Sequence, residues 1–184
     1  MLDLLAGIDT QLFLFFNVTL ANPVTDFIMP IITSDWLLRI LYAIAVVIML
    51  IFGKARLRWA VLLSVIVLAL TDQISAGLLK PLIGRMRPCQ VLDGINLLVA
   101  CGGGKSMPSS HAANAFGQAV LFSVLFPNVR WPLFIFAALV AMSRVIVGVH
   151  YPFDIIVGSI LGAVIGWTVA KAARLIPVWK SITT

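Results

Sequence analysis

Three short stretches of this 184-residue chain hold side chains suited to handling a phosphoryl group: KPLIGRMRP (Lys80–Pro88), PSSH (Pro108–His111) and SRVIVGVHYPFD (Ser143–Asp154). Lys80, Arg87 and Arg144 offer fixed positive charge and directional donors, which match the oxygens of a phosphate. A helix opening at Ser109 and Ser110 would add unpaired backbone N–H groups beside two hydroxyls, a natural anion site. Pro152 suits the first turn of a helix and would hold Asp154 close to His150. A carboxylate bonded to one ring nitrogen fixes the tautomer and leaves the other nitrogen free to attack. His111 is then the group that gives a proton to the departing oxygen. The chain has no Glu, no clustered Asp and no His pair at ligand spacing. That inventory points away from a metal site, so no cofactor is expected and charge stabilisation falls to the cations.

Each residue has a plainer use. Arg85 and Lys105 read equally well as side chains reaching for lipid headgroups. Ser109 and Ser110 can simply cap a helix, and Asp154 can favour a helix N-terminus. Asp72, near Gln73, either offsets a site cation or lines a wet crevice. Two histidines, three cations and a carboxylate at one membrane face are costly, however, and the cost argues for function.

The elements that position these residues follow from composition. Hydrophobic residues make up 61% of the chain and charged ones 11%, with a mean hydropathy of +1.10. A soluble enzyme, a disordered tail and a large domain outside the membrane are excluded. The expectation is an all-α polytopic transmembrane helical bundle of about six spans, forming one domain over residues 1–184. Apolar runs at Trp36–Phe52, Trp59–Leu79, Ala112–Phe126, Trp131–Met142 (extending to Val149) and Ile155–Ala170 read as five helices. Within residues 1–34, the stretch Leu12–Ile32 is interrupted by Asn17, Asn22, Pro23 and Asp26. It reads as one kinked span or two interfacial helices meeting at Pro23, with the span preferred. The acidic start, Met1-Leu2-Asp3, lacks the basic region of a cleavable signal, so the first segment is expected to be retained.

Lys54, Arg56 and Arg58, then Arg130, then Lys171, Arg174 and Lys180 occupy alternate connections, which puts them in the cytoplasm and all three polar stretches on the opposite face. The net charge of +6 is thereby a topology signal rather than a sign of nucleic-acid binding. Gly158, Gly162 and Gly166 allow close helix approach, more simply within one subunit than between two. Cys89 and Cys101 lie on the outer loop, either bridged or as free thiols.

Taken together, the three stretches resemble the signature of the type 2 phosphatidic acid phosphatase (PAP2) superfamily, in its bacterial membrane lipid phosphatase branch. Its pattern is K-x6-RP, PSGH and SR-x5-H-x3-D. The first and third match in full; in the second, Ser110 replaces the usual Gly. The resemblance covers about residues 55–172. It implies a covalent route in which His150 attacks phosphorus, Asp154 orients it, and His111 protonates the leaving group and then assists water. Lys80, Arg87, Arg144, Ser109 and neighbouring amides would hold the phosphoryl oxygens, with Ser110 beside them.

The expected function is metal-independent hydrolysis of a lipid phosphate or diphosphate, at the periplasmic or exterior face of a bacterial inner membrane. Undecaprenyl diphosphate is the preferred substrate. Phosphatidylglycerol phosphate, phosphatidic acid and lipid A phosphate are rivals. Transfer of the phosphoryl group to another lipid is a second reading, and a non-catalytic transporter or scaffold for anionic lipid is a third. No nucleic-acid partner is expected.

Overall fold

The computed structural model describes residues 2–175, which form helices and connecting loops with no strand among them. Lys180 lies outside the described residues. Helix α1 (Leu2–Leu14) runs into a wider π turn (Phe15–Thr19) and is followed by α2 (Pro23–Ile32) and α3 (Asp35–Phe52). Helix α4 (Ala55–Asp72) continues through a π segment (Gln73–Leu79) into α5 (Lys80–Ile83). A single short turn, α6 (Pro88–Val91), precedes α7 (Ser110–Leu125), α8 (Arg130–Ile146) and α9 (Pro152–Ala173).

Among the described residues, four helical stretches are long and apolar enough to cross a membrane, Asp35–Phe52, Ala55–Val91, Pro127–Ile146 and Pro152–Ala173, or five if the bent pair Asp3–Thr19 and Pro23–Ile32 is one span. Helix α7 has 16 residues, about 24 Å at 1.5 Å per residue, and packs in the middle against α9, α8 and α4. Leu62, Ile135, Ile160 and Val164 are exposed on the outside of this bundle, as lipid-facing side chains must be. The protein is an integral membrane protein with the all-helical fold its composition demands.

The count of spans turns on a sharp bend near the N-terminus. The Asn22 side chain accepts from the amides of Val24 and Thr25, each at 3.1 Å, and starts a new helix with Pro23 in its first turn. The axes of Asp3–Thr19 and Pro23–Ile32 consequently differ by 113°. The polar residues of this pair find partners at one end of the bundle. Asn17 Nδ2 donates to the carbonyls of Asn96 and Ile146, both at 2.8 Å, and Asp26 accepts from Asn96 at 3.0 Å. Phe13 is fully buried beneath Tyr151 and Val145. These contacts fasten the two helices of residues 2–32 to the end of the bundle that holds the three motifs. Both expected forms, one kinked span or two helices meeting at Pro23, share this break, and the polar residues on either side of it, Asn17 and Asp26, bond to Asn96.

Helix α9 meets α7 through its glycine stripe. A Cβ at Gly158, Gly162 or Gly166 would run into the carbonyl oxygens of Ser109, Ala113 and Gly117 respectively. The stripe therefore serves packing inside one subunit. Two further glycines set the chain's direction at the site. Gly84, with φ +67°, ends α5 and turns the chain towards Arg85 and Arg87. Gly148, with φ +89°, makes the turn that delivers His150, and a Cβ there would lie 2.9 Å from the Asn96 carbonyl oxygen.

Candidate active site

The start of α9 is built around Asp154. Pro152 occupies the first turn, and Asp154 Oδ2 accepts the Tyr151 amide at 2.8 Å. The same carboxylate takes a hydrogen bond from Ser106 Oγ, and its Oδ1 takes one from Arg85 Nη1 at 2.9 Å. His150 Nδ1 lies 3.3 Å from Oδ2. An ionised carboxylate only accepts, so the ring proton sits on Nδ1 and the lone pair on Nε2. Nε2 is 3.2 Å from Arg87 Nη1, a donor to that lone pair. His150 is 1% exposed, and burial pushes its pKa down to about 3 against the opposing pull of Asp154. The imidazole is neutral at ordinary pH, the state a nitrogen nucleophile requires.

Arg87 is fixed by bonds from Nε to the Gly104 carbonyl (2.9 Å) and from Nη1 to the Val149 carbonyl (3.2 Å). Arg144 Nη1 donates to Thr33 Oγ1 at 2.6 Å. Lys80 sits half-buried in α5, and the charges acting on it are Arg87, Arg144, Asp154 and Asp72. Three cations thus face one another with carboxylates around them, an arrangement that a multiply charged anion relieves.

His111 lies on the first turn of α7, with Nε2 3.0 Å from Asp35 Oδ1 and with Arg144 and Lys80 in electrostatic range. Among the described residues, the buried polar atoms without a hydrogen-bond partner include Ser109 Oγ and Arg144 Nε. Both belong to the predicted set, and both can donate to an oxyanion. The Ser109 amide differs from expectation: it donates to the Asp154 carbonyl at 3.0 Å and ties α7 to α9 instead of remaining free. Ser110 accepts from Ser75 at 3.0 Å and borders a cavity together with His111.

Arg85, for which a headgroup contact was an equal reading, turns inward. It joins Asp154 to Asp9 (2.7 Å) and stacks 3.9 Å from the centroid of the Tyr151 ring. Lys105 is exposed, with its ammonium against Met86 Sδ. Asp72 combines both of its readings: it accepts from Asn114 Nδ2 at 2.9 Å, borders the cavity and acts on Lys80. Cys89 and Cys101 are joined by a disulfide, closing the loop that ends beside Gly104 and Ser106. Ser106 and Asp9 were not anticipated. A fully buried carboxylate in an apolar N-terminal helix is a signal for Asp9; Ser106, in a glycine-rich loop, gives none.

Cations gathered at the end of a membrane bundle, beside a neutral histidine and next to a largely apolar cavity, suit a phosphorylated headgroup whose tail remains in the bilayer. The chain is a membrane lipid phosphatase. The profile of the PAP2 superfamily matches residues 58–176, and the chain belongs to that superfamily. It is 39% identical over 181 residues to the lipid A 4'-phosphatase of Bacteroides thetaiotaomicron, covering 91% of this chain and 77% of that protein. Undecaprenyl-diphosphatase BcrC of Bacillus subtilis is 29% identical, over 84% of this chain and 78% of that one. The crystal structure of a transmembrane PAP2 type phosphatidylglycerolphosphate phosphatase from Bacillus subtilis superposes with a TM-score of 0.76 at 25% identity. That match covers 94% of this chain and 87% of that chain.

Proposed function

We propose that the protein removes a phosphate monoester from an acylated sugar lipid of the lipid A type, without a metal, through a phosphohistidine on His150. The observation that carries the chemistry is the orientation of His150, with Nδ1 held by Asp154 and Nε2 turned to Arg87. Arg87 moves its donor from the ring to a phosphoryl oxygen as substrate enters, which frees the lone pair. Nε2 then forms the P–N bond while the P–O bond to the sugar breaks, and His111, charged once the bound phosphate offsets Arg144 and Lys80, gives its proton to the departing oxygen. Neutral His111 next takes a proton from water, the hydroxide attacks phosphorus, and the P–N bond breaks to return Nε2 and release phosphate. Lys80, Arg87, Arg144 and Ser109 hold the three oxygens throughout.

The lipid reading is supported by a cavity of about 520 Å³ between α3, α4, α7 and α8. Its mouth is at Ser110, His111, Asp35 and Asp72, and Leu41, Met49 and Phe136 line it further along. Asn114 and Gln118 stand one and two turns along α7 from Ser110 and put amides on one wall. Near them, Tyr42 OH bonds Ser64 Oγ at 2.8 Å, and Ser64 Oγ donates to Gln118 Oε1 at 2.7 Å. A polar wall at that depth suits acyl chains with amide, ester or hydroxyl groups near the head better than a plain isoprenoid. That preference agrees with the lipid A 4'-phosphatase relative. Undecaprenyl diphosphate, favoured from the sequence, becomes the second reading and is supported by BcrC. The basic connections around Lys54–Arg58, Arg130 and Lys171 lie at the other end of the helices, which supports a site facing the periplasm of a bacterial inner membrane.

The test is phosphate release by the purified protein, with chelator present, from lipid A, undecaprenyl diphosphate, phosphatidylglycerol phosphate and phosphatidic acid. Lipid A should be turned over fastest. A faster undecaprenyl diphosphate overturns the substrate, and silence until metal is added overturns the mechanism. A labelled lipid product in place of free phosphate identifies a phosphotransferase. Filling the cavity should separate tail from head. Ala115→Phe is expected to weaken turnover of a long-chain lipid phosphate by roughly tenfold, since overpacking costs about 1–3 kcal/mol. Hydrolysis of p-nitrophenyl phosphate by the same variant should be unchanged; equal losses on both substrates would remove the cavity from the binding path.

A further inference from the structure

Asp9 is fully buried on α1, in a part of the chain before the PAP2 match begins. Its Oδ1 accepts the Phe153 amide at 2.8 Å, in the first turn of α9, and its Oδ2 lies 2.7 Å from Arg85 Nη2. The other amine of Arg85 holds Asp154 Oδ1 at 2.9 Å, so one guanidinium spans two carboxylates. A buried carboxylate is costly unless its charge is used.

Asp154 has two tasks that conflict. It must be held in place, which Arg85, Ser106 and the Tyr151 amide accomplish. It must also keep its negative charge available to His150, because the ring gains positive charge as Nε2 bonds to phosphorus. An unshared guanidinium at 2.9 Å would weaken that field, and Arg87 and Arg144 already oppose positive charge on the ring from the phosphate side. We infer that Asp9 is a positioning residue of the reaction: it neutralises Arg85, so that Arg85 fixes Asp154 without cancelling the charge Asp154 presents to His150. This rests on His150 being the nucleophile.

The experiment is single-turnover labelling of His150 from a phosphate-labelled lipid substrate, with steady-state kcat and KM alongside. Asp9→Asn keeps an acceptor for the Phe153 amide and removes the charge. It should slow His150 labelling and kcat by about tenfold or more, the order expected of one unit charge in a partly buried site, with KM nearly constant. In an Arg85→Gln background the same change should cause a much smaller loss, because there is no guanidinium left for Asp9 to neutralise. A labelling rate for Asp9→Asn equal to wild type overturns the inference. So does a rise in KM matching the fall in kcat, or an equal loss in both backgrounds. Should Arg85→Gln fail to accumulate, Asp9→Asn alone decides on the kcat and KM outcomes. A wild-type protein that never labels overturns the nucleophile assignment and this inference with it. Equal labelling of wild type and Asp9→Asn overturns this inference alone.

Discussion

His150→Ala is expected to lower phosphate release by about 10⁴-fold or more, the scale on which removal of a covalent nucleophile acts. The loss should fall on kcat, because Lys80, Arg144 and Ser109 still hold the headgroup. The variant should remain folded. Asp154 keeps its bonds to Arg85, Ser106 and the Tyr151 amide when the imidazole is gone, so no unpaired charge is created. Wild type quenched during turnover should carry an acid-labile, base-stable phosphoryl label that the variant lacks. Because burial holds the His150 pKa down to about 3, an acid limb in the rate above that value belongs to another group, His111 or the substrate phosphate. Turnover by His150→Ala within about a tenth of wild type would reassign the nucleophile. Lipid binding that survives with no phosphate release from either protein, at any pH, would instead favour a carrier or scaffold.

Gly162→Leu should be as damaging without touching the site. The position faces the Ala113 backbone, with its carbonyl carbon 2.8 Å and its Cα 2.9 Å from where a Cβ would stand. Backbone has no flexible end to swing away, so α9 must separate from α7, and Asp154 and His150 travel with α9. A cost of about 3–5 kcal/mol is expected, or roughly 10 °C in thermal melting in detergent, with activity largely lost. Gly7→Ala is the control. No atom lies within 4 Å of its added methyl, and alanine favours helix by about 0.5–1 kcal/mol. A Gly162 variant that melts like wild type would mean that the two helices do not need this contact.

The parts of the site legible in the sequence were those whose chemistry is unusual for a membrane chain. His150, Asp154 and Pro152 announce their geometry by spacing alone, because a proline-started helix returns a carboxylate to the residue before it. The glycine stripe was legible for a similar reason, a four-residue period that serves close approach. Arg85 was ambiguous because an arginine at a helix end can turn either way, and what decides it is Asp9, 76 positions earlier in the chain. Ser106 sits among glycines with no periodicity to place it. The first 32 residues were hardest to read. A helix crossing the bilayer and one lying at its surface can share a composition, and the sequence does not show the distant partners that Asn17, Asp26 and Thr33 take in the fold.

Those partners also impose an order on biosynthesis. Asp9 bonds to Phe153 across 144 positions, Asn17 to Ile146 across 129 and Thr33 to Arg144 across 111. Helix α1 therefore gains these partners only once α9 has been threaded into the bilayer and packed on α7. A ribosome-bound fragment ending short of α9 has no assembled catalytic centre, and activity can appear only after α9 has emerged.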